Sequence, residues 1–167
     1  MIFSIALGAL FLIEQAIPDV QSPIYFIPGL FLTFFILGFG EEVGWMGYAF
    51  DPMQKKSGSI KASIVLGLIW ALWHLPFYIF MVDDFSSILF MLICLFGTRI
   101  ILARTYNNTN QSVFAVICAH SIFNVSISVT PNYQIPSGII LTSVLIMITV
   151  VVITISGGMK QKNFSLK

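Results

Sequence analysis

Breakers cut this chain into a series of long apolar runs, and that feature constrains the fold more than any other. "PDVQSP" (18–23) closes a first segment. A second run, from about Ile24 to Phe50, stops at "DPMQKKSGS". A third, from about Ile60 to Met81, ends at Asp83 and Asp84, and a fourth, from about Phe85 to Tyr106, ends at "NNTNQ". A fifth, about Ser112 to Thr130, reaches "PNYQIPSG", and "IILTSVLIMITVVVITIS" leads into a "KQK" tail. Most of these runs approach or exceed the roughly 20 residues that a helix needs to cross a bilayer. The pattern predicts an all-α, polytopic membrane helix bundle of about six transmembrane helices in one membrane domain spanning residues 1–167.

Composition agrees. Of the 167 residues, 57% are hydrophobic and 9% charged, with a mean hydropathy of +0.95. Soluble domains carry about 25% charged residues. A net charge of +1 leaves no basic field, which excludes nucleic acid as a partner and leaves lipid as the surroundings. Cys94 and Cys118 sit in apolar runs without CxxC spacing and read as small buried hydrophobes. The N-terminal "MIFSIALGALFLIEQ" has no basic n-region and no small-residue cleavage site, so it is not a signal peptide. Its shortness suggests a truncated first helix.

The cations suggest an orientation. Lys55, Lys56 and Lys61 lie between the second and third runs, Arg99 and Arg104 toward the end of the fourth, and Lys160, Lys162 and Lys167 in the tail. In a six-helix arrangement they share one side, and Asp19, Asp83 and Asp84 share the other. Loops rich in Lys and Arg face the cytoplasm, which places the basic loops and the C-terminus there, in a protein integral to the cell membrane.

Against this background a few polar residues stand out, because ionisable groups inside a membrane are costly and mark functional sites. They are Glu41 and Glu42 in "ILGFGEEVGWMGYAF", His74 in "WALWHLPF", and His120 with Asn124 in "HSIFN". At 1.5 Å of rise per residue, Glu41 and His120 lie roughly 14 Å from the basic end of their helices, and His74 and Asn124 roughly 20 Å. Each has a bland reading. A glutamate pair can mark a helix end, a lone histidine can be packed in a core, and a His/Asn pair can hold helices together. Their matched depth favours a shared cavity instead.

Such a set can perform hydrolysis. A carboxylate near a histidine can take a proton from water, and a second histidine with an asparagine can donate to a developing oxyanion. No GxSxG elbow or HExxH motif is present. Glu41, His74 and His120 could still form a three-ligand zinc site, although adjacent glutamates and unlinked histidines do not specify its geometry, which favours a metal-free mechanism. A proton-coupled transporter and a non-catalytic membrane binding protein remain as alternative readings.

At these residues the chain resembles the CPBP family of intramembrane proteases, which includes type II CAAX prenyl proteases and abortive-infection or bacteriocin-immunity proteins. The family signature, EExxxR then FxxxH then HxxxN/D on separate helices, reads here "EEVGWM" (41–46), "WALWH" (70–74) and "HSIFN" (120–124). The resemblance covers about residues 30 to 130. It implies a hydrolase in which Glu41 and His74 activate water, Glu42 supports the site, and His120 and Asn124 form the oxyanion pocket. The implied substrate is a peptide or protein, prenylated in the CAAX case, and members are often labelled metalloproteases. Met46 stands where the motif has arginine, and Trp70 where it has phenylalanine. The missing cation bears on the substrate more than on the reaction.

Overall fold

The structure, a computed structural model, describes residues 26–129 and 136–156. The described residues form an all-α bundle of apolar helices. Helix α1 (Ile27–Gly44) starts with Pro28 in its first turn, where a missing N–H costs nothing. It runs without a break into a π-helical stretch (Trp45–Phe50) and then α2 (Asp51–Ser57). The expected stop at "DPMQKKSGS" thus falls at the far end of that stretch, the helix continuing past Asp51 and Pro52 before it ends. Pro52 cannot donate to the carbonyl one turn back, and an i→i+5 stretch accommodates that loss. The helix ends at Gly58, whose φ of +82° with ψ of 156° only glycine adopts readily.

Helix α3 (Ser59–Met81) and helix α4 (Phe85–Asn108) are joined by a short turn in which Asp84 caps α4, its carboxylate accepting the Ser87 backbone N–H at 2.7 Å. Helix α5 (Val113–Val129) and helix α6 (Pro136–Ile155) complete the bundle. Residues 27–57 and helices α3, α4 and α6 are each long and apolar enough to cross a membrane, and α5 is a shorter apolar helix. The protein is an integral membrane protein. The expected N-terminal segment lies outside the described residues.

Helix α4 is the centre of the bundle and packs against α3, α5 and α6, while α1 packs against α5. Its span is 44% buried, against 17% for α6 and for residues 27–57. Two glycines permit that density. A Cβ on Gly67 of α3 would meet the Phe96 carbonyl of α4 at 3.2 Å, and one on Gly97 would meet Ile146 of α6 at 2.5 Å. Large apolar side chains such as Leu32, Phe39, Leu72, Phe80 and Val152 point outward, as a lipid solvent requires. Hydroxyls inside the spans bond back to carbonyls four residues earlier, as Ser63, Thr98 and Ser121 do.

The basic residues do gather at one end. Asn107 of α4 donates to Ser59 at the start of α3, and Arg104 donates to the Ile153 carbonyl near the end of α6. Lys55 and Lys56 close α2 at that same end. Arg99 departs from the expectation. It is fully enclosed within α4, roughly 14 Å from the helix end, and does not belong to a loop charge count. The tail lysines lie outside the described residues. Cys94 and Cys118 are free thiols, the first buried and the second half-buried.

Candidate active site

Four helices, α1, α3, α4 and α5, deliver the site. Glu42 leaves α1 toward the bundle interior and has no exposure, while Glu41, one residue earlier and about 100° round the helix, is half-buried at its edge. His120 of α5 packs beside Gly38, one turn before Glu42, where a Cβ would stand in ordinary contact at 3.6 Å from His120 Nδ1.

Glu42 is the hub of a charged network. Its Oε1 lies 2.8 Å from His120 Nδ1, and its Oε2 accepts from Arg99 Nη1 at 2.7 Å. An ionised carboxylate can only accept, so His120 carries a proton on Nδ1 and keeps Nε2 for other chemistry. Glu41 is held differently. Its Oε2 accepts the indole N–H of Trp70 at 2.9 Å, and its buried Oε1 has no partner among the described residues.

Trp70 joins the two halves. Its ring carries the Arg99 guanidinium at 4.0 Å from its centroid, and its centroid lies 5.6 Å from that of His120 and 4.6 Å from that of His74. His74, one turn along α3, has Nδ1 2.8 Å from the Trp70 carbonyl, edges against Trp73 and stacks on Tyr78. Asn124 is half-buried one turn beyond His120, on the same face of α5.

A groove of about 410 Å³ on the outer face of α1 reaches Glu41. It is lined by Gly40, Gly44, Trp45, Tyr48, Ala49 and Trp73. Glu42, His74 and His120 stand behind it, buried. The ligand atoms that converge are those of Glu41, Glu42 and His120, all within 4.8 Å of one another. His74 is not in that trio, so the set anticipated from the sequence for a metal differs from the one the fold assembles.

Sequence reasoning missed two residues of this network. Arg99 enters the sequence reading only as one of the cations on the basic side, yet its depth is close to that of Glu41 and His120 and could have flagged it. Trp70 enters it only as a departure from the motif phenylalanine, but it contributes an N–H that phenylalanine lacks.

Residues 23–126 match the profile of the Rce1-like family, described as type II CAAX prenyl endopeptidase Rce1-like. The match covers the glutamate pair and both histidines. This chain belongs to that family. It is also 51% identical over 51 residues, or 30% of its length, to CAAX prenyl protease 2 of Methanococcus maripaludis. The aligned stretch spans 18% of that protein's length.

Proposed function

We propose that the protein is an intramembrane endopeptidase in which Glu41 activates water against a peptide bond. The observation that carries this reading is the position of Glu41 at the foot of the groove. One oxygen is fixed by Trp70, and the other is buried without a partner among the described residues. A base needs a fixed orientation and a free lone pair within reach of the proton it takes, and Glu41 has both. Its family membership supports peptide hydrolysis as the reaction.

The remaining roles follow from chemistry. Water held at Glu41 Oε1 loses a proton to the carboxylate as its oxygen adds to the scissile carbonyl carbon. The carbonyl oxygen becomes an oxyanion, which His120 Nε2–H and the Asn124 amide stabilise. Glu42 behind His120 orients its ring through Nδ1. Collapse of the adduct breaks the C–N bond, and the proton held by Glu41 passes to the leaving amine. His74 assists in orienting the water.

A divalent ion fits this donor set poorly. Both Glu42 oxygens are engaged, one by a guanidinium, and that fixed positive charge would oppose a cation bound to Glu42. Of the converging atoms only Glu41 Oε1 and one nitrogen of His120 are uncommitted, fewer than the three ligands of a catalytic zinc. No step is routed through a metal.

The substrate we propose is a peptide or protein presented at the membrane. The names of the family and of the archaeal relative point to a prenylated C-terminal segment, and the aromatic, apolar groove walls suit a hydrocarbon chain. The basic end of the bundle, with the Lys55–Lys56 turn, is the cytoplasmic end in this reading. The test is cleavage of prenylated and unprenylated peptides by the purified protein in liposomes, with Glu41→Ala as control. Cleavage by wild type alone supports the proposal, and equal cleavage by both removes Glu41 from the chemistry.

A further inference from the structure

Arg99 does not line the groove that reaches Glu41, yet it is a fully enclosed charge inside a membrane bundle. A guanidinium at that depth is expensive and persists only where an anion needs it. Its contacts name that anion. Nη1 is 2.7 Å from Glu42 Oε2, Cζ stands over the Trp70 ring, and Nε and Nη2 find no acceptor among the described residues.

Position 46 completes the picture. Met46 follows Glu42 by one helical turn, has no exposure, and packs in a cluster with Leu102 and Ala103 of α4. Those two residues follow Arg99 by three and four positions, so they share its face of α4. Position 46, at the start of the π-helical stretch, and position 99 of α4 therefore lie along the same interface that encloses Glu42. The family signature carries its arginine at the first of these positions. This chain carries a cation at the second.

We propose that Arg99 is the relocated counter-ion of Glu42, taking from α4 the place that an arginine at position 46 would fill from the π-helical stretch. It is a positioning residue. It holds Glu42 with the second oxygen aimed at His120 Nδ1, and it influences turnover only through that alignment. The catalytic consequence rests on the reading of the site as hydrolytic, whereas the pairing itself does not. The relocation also explains how position 46 can be apolar without leaving Glu42 buried and alone, the arrangement most costly to a fold.

The experiment is a charge relocation, read in two ways. Arg99→Met, Met46→Arg, and the double variant Met46→Arg/Arg99→Met are purified in the same detergent. Thermal unfolding is followed for each, and kcat and KM are measured on a cleaved peptide. Arg99→Met strands Glu42 and should lower the midpoint by roughly 5–15 °C. It should lower kcat by about 10²-fold through misalignment, with KM within about twofold. The double variant restores one cation beside Glu42 and should recover most of both losses. If Arg99→Met does not fold, a folded and active double variant makes the same point. Recovery of neither quantity overturns the proposal. Recovery of the midpoint without kcat overturns the claim that Arg99 acts only through Glu42. Should the wild type cleave nothing, the hydrolytic reading falls, and the midpoints alone decide the pairing.

Discussion

The indole N–H of Trp70 donates to Glu41 Oε2 at 2.9 Å, while the same ring lies 4.0 Å beneath the Arg99 guanidinium that binds Glu42. One side chain on α3 thus sets two adjacent glutamates to different tasks. Glu41 is pinned by a neutral donor and keeps one oxygen free. Glu42 is saturated by a cation and a histidine. Adjacent carboxylates on a helix diverge in direction, and here the divergence becomes a division of labour.

That division predicts the effect of Trp70→Phe. The phenyl ring still supports Arg99, so the Glu42 network survives, but Glu41 loses its anchor. A hydrogen bond to a charged group contributes about 1.5–3 kcal/mol, so kcat should fall by roughly 10–100-fold. Thermal unfolding should change little by comparison. A kcat within twofold of wild type in a steady-state peptide assay would show that the indole N–H does not position the base.

Glu41→Gln should remove turnover almost entirely. Glutamine keeps the shape and can still accept from Trp70, but it cannot take a proton from water. General-base catalysis typically contributes 10²–10⁴-fold, and a loss in that range is expected with an unfolding midpoint close to wild type. The same change at Glu42 should behave differently, because Arg99 loses its anion. Glu42→Gln should lower the midpoint as well as the rate, and comparing the two variants by circular dichroism melting separates the roles.

How much of this was legible beforehand differs by element. The helices α3 to α6 were readable because Pro, Gly and paired Asp residues bound apolar runs of spanning length. The join from α1 through the π stretch to α2 was not. "DP" reads as a stop in sequence, whereas Pro52 falls in the first turn of a continuing helix, a position that tolerates it. Matched depth brought Glu41, Glu42 and His120 to one layer, where the fold does gather them. Depth alone could not say that His74 turns toward Trp70 and Tyr78 instead of joining that trio. Arg99 escaped because positive charges near helix ends are read as topology markers before they are read as partners.

Asp84 supplies a pH-dependent prediction away from the site. Hydrogen bonds from the Ser86 hydroxyl, then from the Ser87 side chain and backbone, hold its carboxyl down at about 2, below an ordinary value of 3.8. A depressed carboxyl stabilises the fold above its unfolded value and loses that contribution as pH falls through its folded one. The stability difference between wild type and Asp84→Ala should therefore be constant above about pH 5 and shrink between roughly pH 4 and 2. Asp84→Asn retains an N-cap without the titration, so its difference from Asp84→Ala should not vary over that window. Paired denaturation curves across that range test it.

The last prediction separates the oxyanion pocket from metal chemistry. Asn124 stands one turn beyond His120 on α5, where an amide donor would share the developing charge with the histidine. Removing one such donor costs about 10²–10³-fold in kcat. Asn124→Ala should fall by that amount with an unchanged unfolding midpoint, since the half-buried side chain contributes little to packing. Asn124→Asp, which replaces a donor by an anion, should be worse. A strong chelator should leave the wild type and Asn124→Ala equally unaffected, because the ligands a metal would need are committed to Arg99 and to one another. Loss of activity with chelator and its return on adding zinc would mean that Glu42 exchanges Arg99 for a metal during turnover. In that event the Arg99 contact belongs to a resting state, and Arg99→Met should bind zinc more tightly than wild type.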